Sequence, residues 1–327
     1  MKAVVAQSPG GPEALQIAEV DEPTLAAGEV KIRVKAFGLN KAESYYRSGN
    51  YGSFVPNRAL GIEAVGEVVE DTTGQHEPGR KVATAMGGLM FQRHGGYSEF
   101  VVVNASNVVT LDSKLDYGIL AALPESYLTV WGALDHNLKI TKGQSILVRG
   151  ATSAVGLAAV AYANARGLTV VATTRRQESA DLLKKFGAAH IIIDDGAVAD
   201  KVRKLYPKGV DGALEVVGAA TVKDTLKAVR NWGEVVVIGL LGGPPILESF
   251  DLMDDLPNTV KLSFFSSGML GTESLPLQDC PLDWIAGRIE VGKMPNTVAA
   301  TFSIDDIQKA HELLDAGTAG GKIVVTI

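Results

Sequence analysis

The sequence predicts an α/β protein: a doubly wound parallel sheet joined to a mainly β, partly closed barrel-like unit. Three observations carry this. From about Asp116 to Phe265, β-rich runs alternate with helical segments one helix length long, as a parallel sheet requires. Residues 1–110 instead hold short β-rich runs separated by Gly/Pro turns, the spacing of a sandwich or partly closed barrel. The third is Ser145–Gly167, SILVRGATSAVGLAAVAYANARG, where a strand, a turn of small residues and an alanine-rich helix follow one another.

Taken in order, the first unit begins with strands at Ala3–Val5, Leu15–Val20 and Val30–Phe37. It continues at Ala64–Val69, Lys81–Ala85 and Ser98–Val103. Turns at Pro9-Gly10-Gly11-Pro12, Ala26-Ala27-Gly28 and Glu77-Pro78-Gly79 punctuate them. A helix is expected from Lys41 to Ser48, with Asn40 as a suitable N-cap. Helical segments follow at Tyr117–Leu123 and Ser126–Leu134, divided by Pro124. The alternating region then gives strands at Ile146–Val148, Leu168–Thr173, Ile191–Ile193, Gly212–Val216 and Val235–Ile238. Helices fall between them at Ala154–Arg166, Glu178–Phe186, Val198–Tyr206 and Val222–Val229. A last strand of this region is Val260–Phe265. The tail offers a helix at Leu282–Arg288, another from Ser303 with Ser303-Ile304-Asp305-Asp306 as its capping box, and a strand at Ile323–Thr326.

Composition narrows the class. The 327 residues are 46% hydrophobic and 21% charged, enough for a sizeable core and about two domains. A net charge of −6 without a basic cluster argues against a nucleic-acid partner. One cysteine, Cys280, excludes an intrachain disulfide and a multi-cysteine metal site. With no signal-like or membrane-spanning apolar stretch, a cytoplasmic protein without a membrane partner is expected. Its five histidines (His76, His94, His136, His190, His311) are scattered and read as surface or loop residues.

The chemistry centres on the turn Gly150-Ala151-Thr152-Ser153-Ala154-Val155-Gly156. A helix start presents free N–H groups and a positive dipole end to a phosphate, and small residues let the backbone approach it. A dinucleotide fingerprint has Gly-x-Gly-x-x-Gly; here Ser153 stands at the middle position. Its hydroxyl either bonds a phosphate oxygen or holds the backbone slightly further away. About one helix later the second strand ends in Thr173-Thr174-Arg175-Arg176. An NAD-type site ends that strand with an acid for the ribose hydroxyls. Two arginines point instead to a 2′-phosphate, hence NADPH.

The ordered motifs resemble the medium-chain dehydrogenase/reductase superfamily, in its zinc-independent NADPH:quinone oxidoreductase family. They are MKAVVAQSPGGPEALQIAEV, GEVKIRVKAFGLNKAESYYRSGNY, LGIEAVGEV, GGYSEFVVV, GATSAVG and VDGALEVVGAATVKDTLKAVRNWGEVVVIGLLGG. The resemblance spans essentially the whole chain. It implies a Rossmann domain at 123–267 and a GroES-like catalytic domain made of 1–122 and 268–327, with NADPH in the cleft between them. Zinc-dependent members have a Cys and a His where this chain has Asn40 and Ile62; only Glu63 of that set remains. An amide and an isoleucine do not make a zinc site. Without a Lewis acid for an alkoxide, the acceptor becomes one that spreads its own charge, such as a quinone.

The resemblance also implies site residues. Asn40, Tyr45 and Tyr51 match polar positions lining the nicotinamide and substrate pocket, where a tyrosine could donate a proton. Thr129 matches a contact to the nicotinamide phosphate or ribose. Val217-Gly218 and Gly239-Leu240 follow strands four and five and should border the cofactor, with Phe265 near the nicotinamide face. Ser179 and Asp194 stand near the positions of the family's usual Lys and Tyr contacts to the 2′-phosphate, and an aspartate there opposes a phosphate. Residues 86–94 read as a mobile loop that shapes specificity. The expected activity is hydride transfer from NADPH to a quinone. The alternatives are reduction of an activated C=C bond in an enone, alkenal or enoyl substrate, or a non-catalytic NADPH-binding module. A homodimer joined through the Val260–Phe265 edge is the expected assembly.

Overall fold

The computed structural model describes all 327 residues. The chain divides into two compact units, Met1–Leu128 with Ser267–Ile327, and Thr129–Ser266.

The second unit is built on six strands: β8 (Ser145–Arg149), β9 (Thr169–Thr174), β10 (His190–Ile193), β11 (Val210–Glu215), β12 (Val229–Val237) and β13 (Lys261–Phe264). Every pairing is parallel, in the order β10-β9-β8-β11-β12-β13. That is the Rossmann order, with the chain reversing direction across the sheet between β8 and β11. Four helices supply the crossovers: α4 (Ala154–Ala165), α5 (Ala180–Phe186), α6 (Val198–Leu205) and α7 (Val222–Ala228). α4 is buried from Gly156 to Ala163, because its alanines let it lie close on the sheet. β12 starts six residues before the sequence suggests and carries a register shift against β11. The polar run Arg230-Asn231-Trp232-Gly233, with Trp232 at φ +65°, disguises it as a turn.

The first unit holds β1 (Lys2–Ala6) paired with β2 (Leu15–Glu19), and a larger sheet ordered β14-β15-β3-β4-β5-β7. Its strands are β3 (Glu29–Gly38), β4 (Glu63–Asp71), β5 (Lys81–Ala85), β7 (Val108–Thr110), β14 (Val298–Ser303) and β15 (Lys322–Thr326). β6 (Phe100–Asn104) pairs with β3. Mixed pairing and long bent strands curl this sheet around a core of Val, Ile and aromatic side chains. Helices α1 (Lys41–Arg47), α2 (Tyr117–Leu120), α8 (Leu282–Glu290) and α9 (Ile307–Ala316) pack outside it. α3 (Pro124–Trp131) begins at Pro124 and runs on as a π-helical turn, Gly132–Asn137. Pro124 opens that helix, as proline at a first helical position does.

Three expectations need correction. Ser303 closes β14 and caps a short 3-10 turn, with its hydroxyl accepting from the Asp305 N–H; the α-helix begins only at Ile307. His311 is a core residue with no exposed surface, not a surface or loop histidine. Residues 86–94 are anchored: Leu89 and Met90 are fully buried, and Arg93 donates to Glu29 and to the Val102 carbonyl.

Candidate active site

In the Rossmann unit the carboxyl ends of the strands form one edge, and most of the residues singled out for a cofactor lie along it. Gly150–Gly156 follows β8, Arg175 and Arg176 follow β9, Val217-Gly218 follows β11, Gly239-Leu240 lies just beyond β12, and Phe265 follows β13. Thr174 is the last residue of β9. Thr129 is buried in α3, three residues before Gly132, where a Cβ would stand 2.2 Å from the Phe265 ring.

Packing explains the small residues. Gly150 has φ +82°, a conformation side chains rarely adopt. A Cβ on Gly156 would stand 2.4 Å from the Gly150 carbonyl, so only glycine lets α4 reach β8 this closely. A Cβ on Gly239 would stand 2.2 Å from the Val216 carbonyl, which holds the turns after β11 and β12 together. Ser153 is the N-cap of α4. Its hydroxyl accepts from the Gly156 N–H at 3.1 Å and donates to the Gly150 carbonyl at 2.8 Å. Both of its hydrogen-bonding roles are thus filled within the turn.

Behind this edge lies an ionic lattice that the sequence reading missed. Arg149, the last residue of β8, is fully buried. It donates to both Asp194 oxygens at 2.9 Å and to Asp224 at 2.7 Å, and to Thr225 and the Thr221 carbonyl. Glu215, also fully buried, accepts from the N–H groups of Val217 and Gly218 at 2.7 and 3.0 Å and from the Thr225 hydroxyl. Burial raises the Glu215 pKa, and these donors with Arg149 offset part of the rise. Arg175 and Arg176 are exposed, and Arg176 stands 4.0 Å from Glu178.

In the first unit Asn40, Tyr45 and Tyr51 belong to α1 and the loop after it. Asn40 is the N-cap of α1, and its N–H donates to Glu43, its capping-box partner, at 2.8 Å. Its amide is further engaged. Oδ1 accepts from Lys322 at 2.6 Å, and Nδ2 donates to Glu63 at 2.8 Å and to Glu43 at 3.3 Å. Lys322 and Glu63 are an ion pair at 2.6 Å, both with no exposed surface. Glu63 also accepts from the Glu125 N–H, and Glu43 from the Ile62 N–H. The Asn40 amide thus holds α1 to β4 and β15. Burial first, then the nearby Glu63 charge, pushes Glu43 up to about 7.

A second buried cluster fixes the other end of α1. Arg47 contacts Asp315 at 2.5 Å and His311 Nδ1 at 2.7 Å, while Tyr97 Oη is 3.2 Å from His311 Nε2. Arginine has only donors, so Nδ1 accepts and the imidazole proton sits on Nε2, facing Tyr97. Burial and Arg47 hold His311 down to about 3, so the ring is neutral. With both ends tied, α1 presents Tyr45 half-buried. Tyr51 is 45% exposed and packs edge-on against Phe91, which also meets Tyr46.

Two family models match: an alcohol dehydrogenase GroES-like domain at residues 26–113 and a zinc-binding dehydrogenase domain at 154–276. Human quinone oxidoreductase is 29% identical over 339 residues, covering 100% of this chain and 98% of that protein. The chain belongs to the medium-chain dehydrogenase/reductase superfamily, in its quinone oxidoreductase-like family. It is an oxidoreductase. Among solved structures of the superfamily, one described as an NAD-dependent alcohol dehydrogenase aligns with a TM-score of 0.86 at 25% identity, covering 100% of both chains. A mycobacterial protein complexed with NADPH aligns with a TM-score of 0.84 at 26% identity, again over 100% of both chains. The family uses a nicotinamide cofactor. Its members therefore carry either form of that cofactor, and the choice in this chain turns on its own residues.

Proposed function

We propose that this oxidoreductase uses NADPH to reduce a small quinone, without zinc. The observation that carries the cofactor choice is the end of β9: Thr174-Arg175-Arg176 puts two exposed cations where an NAD-type site ends its strand with an acid, and the neighbouring Asp194 is paired with Arg149. The glycine-lined turn and the 12-residue helix α4 suit the pyrophosphate. When bound, NADPH supplies the hydride. The chain's part is to hold its phosphates on the α4 N-terminus, to meet its 2′-phosphate with Arg175 and Arg176, and to present Tyr45 and Tyr51 as hydroxyl donors to the acceptor.

Zinc does not fit the residues present. Ile62 has no donor atom, and Asn40 and Glu63 are bound to the Lys322 ammonium, a cation already among them. A quinone accommodates this, because it delocalises the charge that arrives with the hydride and needs no Lewis acid. Two further elements complete the reading: a cytoplasmic protein, consistent with its single cysteine, and a homodimer formed through β13, which pairs only with β12 and leaves Phe264 59% exposed.

The test is oxidation of NADPH and NADH, followed by nicotinamide absorbance, against a small quinone and a simple enone. Faster turnover of the quinone with NADPH is expected. Turnover of the enone alone moves the assignment to activated C=C bonds, and tight NADPH binding with no turnover moves it to a non-catalytic module. Tyr51→Phe should slow any enone reduction more than quinone reduction, since only the carbon centre needs a positioned proton donor.

A further inference from the structure

Asp194 stands beside the end of β9. It follows β10, the neighbouring strand, where Ile193 is in register with Thr174, and its N–H donates to the Thr174 carbonyl at 2.8 Å. It is therefore level with the start of Arg175-Arg176, where the preceding reading puts the 2′-phosphate. A free carboxylate there would repel that phosphate and accept hydrogen bonds from an unphosphorylated ribose. It is not free: Arg149 takes both of its oxygens at 2.9 Å from within the sheet, and Arg149 itself has no exposed surface.

We propose that Arg149 is a specificity-determining positioning residue, which holds Asp194 in a neutralised pair so that a 2′-phosphorylated dinucleotide is accepted. This rests on the NADPH reading and deepens it. On that choice Arg149 acts through Asp194. Its other contacts, to Asp224, Thr225 and the Thr221 carbonyl, tie β8 to α7 and, through Thr225 and Glu215, to the Val217-Gly218 turn, a link that serves both cofactors alike. An arginine with a purely structural role would serve NADPH and NADH equally. One that restrains Asp194 discriminates between them.

The experiment measures dissociation constants of NADPH and NADH for wild type, Arg149→Gln, Asp194→Asn and the double variant. Arg149→Gln should weaken NADPH by about tenfold relative to NADH, and adding Asp194→Asn should return the ratio to the wild-type value. Equal weakening of both cofactors, or no return in the double variant, overturns the proposal. Arg149→Gln leaves two acids without their cation, so Arg149→Lys serves if it does not fold. It keeps the charge but loses the bidentate grip, and the same direction of shift with the same rescue is expected. If neither single variant folds, the double variant Arg149→Met/Asp194→Asn decides alone: retention of the wild-type ratio supports the proposal, and loss of NADPH preference overturns it. The wild-type ratio separately reads the cofactor assignment. A wild type indifferent to the 2′-phosphate overturns that assignment, while a shift against NADPH that Asp194→Asn reverses would still establish the Arg149–Asp194 coupling.

Discussion

Lys322 and Glu63 form a buried charge pair whose partners cannot be separated cheaply. Removing the cation alone leaves a carboxylate with no solvent and no counterion. Lys322→Met should therefore destabilise the protein by about 3–5 kcal/mol in urea unfolding. Adding Glu63→Gln should recover most of that loss; a double variant as unstable as the single would refute the pairing. Glu43 in the same cluster makes stability depend on pH. Its carboxyl is raised from about 4.5 to about 7, so the native state holds a proton that the unfolded chain has released. Its contribution is complete below about 4.5 and is lost as pH rises through about 7, by up to about 3 kcal/mol. The stability advantage of Glu43→Gln over wild type should grow across that window, and a difference that is flat with pH would refute it. His311 has the opposite sign: held near 3 rather than 6.5, it contributes above 6.5 and loses that contribution as acid is added.

At the scale of elements, the turn before α4 is closed by one side chain. Ser153→Ala removes the acceptor of the Gly156 N–H and the donor to the Gly150 carbonyl. It should cost about 1 kcal/mol in thermal unfolding, and an unchanged midpoint would show that the backbone closes the turn unaided. The elements most legible in the sequence were those with a strong pattern and clear punctuation: β8, α4, β9 and the alternation after them. β7 escaped notice because it has three residues, and β14 because its half-buried alternation includes alanines that read as loop. The glycine turn and the arginines after β9 were legible because their chemistry is local. Arg149 and His311 were not, since each acquires its meaning from partners dozens of residues away; Glu215, whose partners lie within ten residues, was hidden inside an apolar strand run. Lys322 opens β15, and its partner Glu63 lies far off in the sequence, so nothing local marks it as buried.

For the molecule as a whole, β13 is one of the two unpaired edges of the Rossmann sheet, β10 being the other, and no helix is long and apolar enough to cross a membrane. An open strand bearing an exposed phenylalanine invites a second copy. Light scattering coupled to size exclusion should give a dimer for wild type and a monomer for Phe264→Lys. A monomeric wild type would remove the proposed assembly.

The placement of β15 also sets an order of events during synthesis. The Rossmann unit is one continuous stretch, Thr129–Ser266, whereas the other unit needs both Met1–Leu128 and Ser267–Ile327. On the ribosome the sheet strand that carries Lys322 emerges after everything it must join. Until then β3 lacks its neighbour on that side, and Glu63 and Asn40 wait hydrated in an open seam. The nascent first unit is thus a waiting half-structure, and its closing ion pair forms as the last strand docks.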